Sequence, residues 1–477
     1  MDGYVRTRLG IRLYEEDIEN FAIFFKDNYS QYFETKIRNL NVENFGNKYV
    51  ISFEELYPYA YDTYVHVTLH VEEDPYLEFS FDERIPSEWL SVIVKRIREI
   101  FSLYFEMRDE FSLTLMFISN ISEVPEIKDG RRAFGLFSYN LLPIYILMYV
   151  ALIAVFFLNP NLLVATYVGL QLIILFFSDK ILLMFSDWKI ESAQNVIQVV
   201  ELKMNYKSLN VAMQAPSEAI RSFKREIHEP AYRERRLIAV EDVLRALEKY
   251  KNLFPSIKDI RVKNFDIGEI VGKLSRRFGI KPPKIGIVNS TIPNAAAAGI
   301  SPRRSVLLLT AGLFSILNET EIEGVLGHEL SHIKNRDPLL LMLLFSGEYA
   351  LRFFLFTTIP AFSFFWLPYF VIILSFLFFV AKFFEARADL EAIYKIERPE
   401  ALVHALMKFA KRIRARGSQR GALQWFGFDP HPPLAFRIER LSEYIRKGLP
   451  QVRHLLLKSI VDVVNGFLRD LFSQRRE

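Results

Sequence analysis

The sequence predicts a multi-domain chain: an N-terminal soluble α+β domain, four transmembrane helices in two hairpins, and a mainly helical remainder. Three observations predict it. Residues 1–135 alternate between helical and strand periodicity. Two blocks further on are almost free of charge, and each is split by a polar or proline break. Between and after those blocks lie helical stretches rich in histidine and carboxylate pairs.

In the first 135 residues, Ile18–Ile37 and Trp89–Phe105 place apolar residues at three-to-four spacing, which predicts helices. Tyr49–Phe53, Tyr64–Val71, Leu77–Phe81 and Leu113–Ile118 alternate as strands do. His66 and His70 share one strand face, but at ~3.3 Å per residue they stand about 13 Å apart, too far for one metal ion. They are read as ordinary sheet residues. The opening MDGYVRTRLGIRLYEEDIE has no apolar core, so no signal peptide is expected there.

The first apolar block, within residues 136–186, runs Leu141–Leu158, breaks at Asn159-Pro160-Asn161, and resumes as Leu162–Phe177. Its second arm is slightly short and continues naturally through Ile181–Phe185. The second block, within 338–384, runs Leu339–Ile359, breaks at Pro360, and resumes as Phe362–Phe379. Each arm is near the ~17–20 residues that cross a hydrocarbon layer as a helix. The two short connections carry no charge, whereas Lys128, Arg131, Arg132, Lys180, Lys189, Lys334, Arg336, Lys382 and Arg387 flank the opposite ends. Positive charge stays on the cytoplasmic side, so the large segments, including the N-terminal domain, are expected in the cytoplasm of a multi-pass cell-membrane protein. Glu348 and Arg352 lie inside the third pass, four residues apart, and suit either a self-neutralising intrahelical pair or the lining of a wet cavity.

Residues 187–262 read as a helical, charge-rich juxtamembrane linker, and residues 450–477 as a basic amphipathic helix from Val452 to Phe472. That helix suits either packing on the rest of the protein or lying on the membrane surface.

Composition excludes several chemistries. The chain has 477 residues, no cysteine and eight histidines, so thiolate metal sites, disulfides and cysteine nucleophiles are out. A formal net charge of +4 gives no reason to expect nucleic acid.

The chemistry concentrates in residues 263–337 and 385–449. Asn318 followed by Glu321 is a helix N-cap pattern. On the helix it starts, His328 and His332 are one turn apart and share a face, as two ligands of one Zn²⁺ must. Glu329, turned about 100° from His328, lies beside that face and is placed to take a proton from water. A catalytic zinc needs a third protein ligand, and Glu385 returns to the same membrane surface after the second hairpin. Asp389, one turn on, is placed to orient a ligand histidine. His431 or Arg437, in Asp429-Pro430-His431-Pro432-Pro433-Leu434-Ala435-Phe436-Arg437, is a candidate donor to an oxyanion.

HELSHIKNRD, EARAD and HPPLAFR, in that order and with membrane hairpins before and between, resemble the HtpX-like membrane zinc metalloproteases, relatives of the CAAX prenyl endoproteases. The resemblance covers roughly residues 140–447. It implies one zinc per chain at His328, His332 and Glu385, with Glu329 as general base. It further implies a zincin-like catalytic domain with a small β-sheet on the metal helix. Where the family has an Asn-Ala-x-Ala-x-Gly segment, this chain has Asn294, Ala295, Ala296, Ala297, Ala298 and Gly299. Those residues form a candidate substrate-binding edge, with Ile285–Val288 and Ser305–Leu309 as its neighbours. The family commonly has a bulkier residue where Ala296 stands. The implied activity is endopeptidase cleavage of membrane or unfolded proteins, for membrane-protein quality control. The alternatives are a catalytically silent zinc-fold scaffold and a prenyl-peptide endoprotease, which usually has more membrane passes. Oligomeric state is not legible.

Overall fold

The computed structural model describes residues 2–33, 35–59, 63–82, 84–108, 111–119, 121, 150, 155, 157–159, 162–184, 186–190, 196–359, 361–414, 425, 429–449 and 453–473. In chain order the elements are β1 (Asp2–Arg8), α1 (Glu15–Phe33), β2 (Ile37–Asn44), β3 (Tyr49–Leu56), β4 (Tyr64–Val71), β5 (Tyr76–Asp82), α2 (Ser87–Met107) and β6 (Ser112–Ile118). Then follow α3 (Leu163–Met184), β7 (Trp188–Ile190), β8 (Ile197–Met204), α4 (Tyr206–Gln214), α5 (Ser217–Arg233), α6 (Val240–Lys249) and β9 (Ile257–Phe265). The last stretch holds α7 (Ile267–Phe278), β10 (Lys284–Val288), β11 (Ala295–Ser301), β12 (Arg304–Thr310), α8 (Ala311–Ile316), α9 (Glu319–Asn335) and α10 (Asp337–Thr358). It closes with α11 (Phe362–Lys395), α12 (Glu400–Arg414), α13 (Leu434–Lys447) and α14 (Leu455–Ser473).

The chain divides into two compact units. The first is Met1–Leu115 with Val199–Lys263 and Ile413–Ser418; the second is Met116–Gln198 with Asn264–Arg412 and Gln419–Glu477.

In the first unit, an antiparallel sheet of order β1-β5-β4-β3-β2 packs one face against α1 and α2. The alternation of β3 is why: Tyr49, Ile51, Phe53 and Glu55 point inward while their neighbours point out. Its core is aromatic, with Phe21, Phe24, Phe25, Phe53, Phe79 and Phe101 fully buried and Phe21 stacked on Phe101 at 3.7 Å between centroids. Phenylalanine in this chain therefore serves a soluble core as well as the apolar blocks. The expected helix Ile18–Ile37 ends at Phe33 instead, because Ile37 opens β2 and pairs with Glu55 of β3. β1, absent from the sequence-based expectation, is polar on alternate positions and pairs with β5 from Asp2 to Arg8.

The stretch 187–262 is not the purely helical linker its charge suggested. Beside helices α4 to α6 it holds β7 and β8, and most of β9. In β8, Ile197, Gln198, Val199 and Val200 are buried in succession, then Leu202 and Met204 alternate. A buried run of this kind, β-branched at three of its four positions, stabilises a central strand, and β8 is the middle strand of the order β6-β8-β9.

Among the described residues of the second unit, three helices are long and apolar enough to cross a membrane: Leu163–Met184, Asp337–Thr358 and Phe364–Lys395, the last lying within α11. The first of these confirms that Leu162–Phe177 continues past Asp179 and Lys180 as one helix. Its expected partner, Leu141–Leu158, falls almost wholly outside the described residues, so two complete hairpins are not seen. The Glu348 and Arg352 side chains of α10 pair with each other at 3.1 Å. α3 and α10 meet through Ser346, which donates to Gln171 at 2.6 Å, and through stacked Tyr167 and Tyr349. The chain passes from α11 into the region of Glu385 with no break, so the expected boundary at 384 and 385 lies in the middle of one helix.

A four-stranded sheet of order β11-β12-β10-β7 completes this unit, with β10 and β12 parallel and the other pairs antiparallel. β10 and β12 stand where Ile285–Val288 and Ser305–Leu309 were expected. α3 is pinned to it near one end: Lys284 pairs with Asp179 at 2.9 Å, and the Arg304 guanidinium lies 3.8 Å over Phe176.

Candidate metal centre

α9 begins as its sequence predicts. The Asn318 side chain accepts from the Glu321 N–H at 2.9 Å, and the Asn318 N–H donates back to Glu321 Oε2 at 2.8 Å. Gly324 lets other backbone approach this helix. A Cβ on Gly324 would stand 2.8 Å from the Leu402 nitrogen of α12, so only glycine fits. α11 is clamped alongside by Glu391, which accepts from Ser331 Oγ at 2.6 Å and Asn335 Nδ2 at 2.6 Å and pairs with Lys334 at 2.5 Å. These contacts, which no sequence motif announced, set the register of α11 on α9.

That register brings three ligand atoms together. His328, His332 and Glu385 each offer one, and the three atoms lie within 4.8 Å of one another. The Nε2 atoms of the two histidines are 3.1 Å apart. Glu385 Oε2 is 3.3 Å from His328 Nε2, and Oε1 is 3.4 Å from His332 Nε2. Bonds of ~2.0–2.1 Å to one tetrahedral Zn²⁺ put neighbouring ligand atoms about 3.3 Å apart.

The ring environments argue the same way. His332 Nδ1 lies 2.7 Å from Asp337 Oδ2, and His328 Nδ1 lies 2.9 Å from Asp389 Oδ1. Asp337 holds the proton on His332 Nδ1 and leaves a bare lone pair on its Nε2, while the Asp389 charge stands close behind the His328 ring. Two ring nitrogens and a carboxylate at these distances need a proton or a metal cation among them. The donor set therefore fits a zinc ion. Burial alone pushes the His328 imidazole down, but the Asp389 and Glu385 charges win and raise it to about 10. Such a site prefers positive charge.

Each supporting carboxylate is held in turn by an arginine. Arg437 of α13 grips Asp389 with two nitrogens, Nε to Oδ2 at 2.8 Å and Nη2 to Oδ1 at 2.6 Å. Arg387 of α11 donates to Asp337 through Nη2. Asp337 and Arg387 are the residues sequence reasoning missed. The one signal was position: α9 stops at Arg336, whose left-handed φ of 58° turns the chain so that Asp337 comes back beside His332.

The other expected site residues fall as follows. Glu329 is buried and makes no hydrogen bond or ion pair among the described residues. Its charge is felt by Arg437. His431 is half exposed and donates from Nδ1 to Glu385 Oε2 at 2.6 Å. The Glu385 charge, opposed by burial, raises its pKa. Arg437 is buried, with Nε and Nη2 both spent on Asp389. Asn294 precedes β11 and is fixed by Thr310, whose Oγ1 accepts from the Asn294 N–H at 2.7 Å. Ala295, Ala296, Ala297 and Gly299 lie on β11, an edge strand that packs along α9. Gly299 adopts φ 137°, where a Cβ would meet the Arg304 carbonyl oxygen.

Residues 262–445, which include every one of these positions, match peptidase family M48. A protease HtpX homolog of Pyrococcus abyssi is 34% identical over 36% of this chain and 71% of its own length. HtpX homologs of Pyrococcus furiosus and Thermococcus sibiricus are 49% and 52% identical, each over 16% of this chain and 26% of their own length. A crystal structure of S. mikatae Ste24p aligns with 49% of this chain and 64% of that one at 16% identity, with a TM-score of 0.31, a likeness too slight to bear on the fold. The identity to the Pyrococcus abyssi protein, held over 71% of its length, places the chain in peptidase family M48, among the HtpX-like metalloproteases.

Proposed function

We propose that this chain is a membrane-embedded zinc metalloendopeptidase that hydrolyses peptide bonds of membrane or unfolded proteins at the cytoplasmic face. The observation that carries the reading is the convergence of His328, His332 and Glu385, at 3.1–3.4 Å between ligand atoms. A zinc ion held there supplies Lewis acidity toward water and the scissile carbonyl. Glu329, unspent on any described neighbour, takes the proton from the attacking water and delivers it to the leaving amine. His431, the most exposed polar group at the centre, donates to the oxyanion as the carbonyl is attacked. Arg437 is assigned a positioning role: it fixes Asp389, which orients His328.

Substrate in an extended form pairs its backbone with the free edge of β11, where Ala295, Ala296 and Ala297 leave room beside α9. Membrane or unfolded polypeptides are favoured because α10 starts, and α11 arrives, at the metal centre itself. The lysines and arginines that flank the spans support a cytoplasmic placement.

The test is made on the purified full chain in detergent, with zinc measured per chain beside casein cleavage. Glu329→Gln is expected to keep about one zinc per chain and lose at least about a hundredfold in rate. Equal cleavage by the variant and the parent would refute the mechanism. Zinc-loaded parent protein inert toward casein would point to a scaffold instead.

A further inference from the structure

α14 carries two apolar faces. One is occupied: Val463 and Gly466 are buried, and Val463 and Phe467 join Phe379, Phe383, Ala386, Trp425 and Phe436 in one cluster. On the helix these inward positions, with Ser459, span roughly 180–280° at ~100° per residue, counted from Leu457. The second face lies elsewhere on the wheel. Leu457, Val461, Val464, Leu468, Leu471 and Phe472 fall within an arc of about 100°. Leu457 is 60% exposed, Val461 52%, Leu468 39% and Phe472 56%. A soluble helix of this length rarely leaves such a stripe in water.

Its neighbour identifies what covers it. Arg440 links Ser459 to the Ala386 carbonyl, and Phe467 meets Phe379 seven residues back along α11. α14 therefore runs antiparallel to α11, its later turns alongside the apolar length of that span. There α11 itself exposes Ile372 and Phe376, at 70% and 56%. The outer stripe of α14 thus lies near an exposed apolar surface of a candidate span. Arg469 reaches back to Glu439 at 2.8 Å, as a cation held near the head groups would.

We propose that the outer face of α14 is a bilayer-contact surface, with Val461, Val464, Leu468, Leu471 and Phe472 lodged in the acyl boundary and the inner face packed on α11. It makes α14 a half-embedded buttress that ties the depth of α13, and so of Arg437 and His431, to the membrane surface. The inference rests on α3, α10 and α11 being spans, and the experiment separates the two.

The chain has no cysteine, so single-cysteine variants of the full protein need no background removal. Spin labels are attached to Val461→Cys, Leu468→Cys, Asn465→Cys and Ile372→Cys in vesicles of phosphatidylcholine and phosphatidylglycerol. Collision with oxygen, which partitions into lipid, is compared with collision with a water-soluble nickel chelate. Leu468→Cys is expected to give an oxygen-to-nickel ratio close to that of Ile372→Cys and about tenfold above that of Asn465→Cys. Val461→Cys is expected to fall between Leu468→Cys and Asn465→Cys. If Ile372→Cys reads as lipid while Leu468→Cys matches Asn465→Cys, α14 faces water and the proposal is overturned. If both collisions are suppressed at Leu468→Cys, a protein, such as a second copy, covers the stripe, which also overturns it. Nickel-dominated collision at Ile372→Cys would instead remove the spanning assignment of α11.

Discussion

His328 and His332 are each backed by a carboxylate that an arginine holds, yet the two supports are built in opposite ways. Behind His328, Asp389 is placed by long-range packing: it comes from α11, and a two-nitrogen fork from Arg437 of α13 fixes both its oxygens. Behind His332, Asp337 is placed by the backbone: one left-handed residue, Arg336, ends α9 and swings it back five positions. The arginine there grips with Nη2 alone, and among the described residues Asp337 Oδ1 and Arg387 Nε are buried without a hydrogen-bond partner, as is His328 Nδ1 in the other support. One carboxylate is thus held by its arginine and the other by its turn. The arginine should matter much more in the first support than in the second.

Five substitutions test that contrast, in decreasing order of expected effect. The two supports converge at Glu385, so Glu385→Gln is expected to lower zinc affinity by about a thousandfold or more, read by competition with a chelator. Retention of full affinity would remove the centre on which the comparison stands. Asp389→Ala strips the partner from a wholly buried Arg437. Zinc affinity should drop by about 10–100-fold and the folded state should lose about 3–5 kcal/mol, measured by thermal unfolding in detergent. Asp337→Ala should match it in zinc affinity but cost only about 1–3 kcal/mol, because its arginine makes one contact. Equal destabilisation by the two alanines would break the comparison. The finest discrimination comes from lysine. Arg437→Lys cannot reproduce a two-nitrogen fork and is expected to cost about 2–3 kcal/mol, whereas Arg387→Lys should stay within about 1 kcal/mol. The reverse order would show that the turn at Arg336 does not place Asp337.

The same contrast explains what the sequence made legible. His328, His332 and their spacing are local to one helix, and so is the Asn318–Glu321 cap, so each could be read from neighbours in the chain. Glu385 was found because the second apolar block had to return to the surface it left. Asp337 and Arg387 were hidden because a left-handed arginine carries no mark in the sequence, where glycine or asparagine would. The Glu391 clamp was hidden for a different reason: it pairs residues about 60 positions apart on two helices, each of which reads alone as ordinary. β8 was masked by the charge density of the residues around it, although three of its four consecutive buried positions are β-branched and apolar.

α11 is 34 residues long and runs without interruption from the far side of the apolar stretch to Glu385, with its one internal proline, Pro368, near the opposite end. At 1.5 Å per residue the rod from Pro368 to Glu385 is about 25 Å long. A change of about 5° in its tilt about that proline sweeps the carboxylate through about 2 Å, as much as a whole metal–ligand bond. A lean of the span, the usual accommodation to bilayer thickness, is therefore met at this end by the Glu391 contacts to Ser331, Lys334 and Asn335 of α9, which lie less than two turns beyond Glu385.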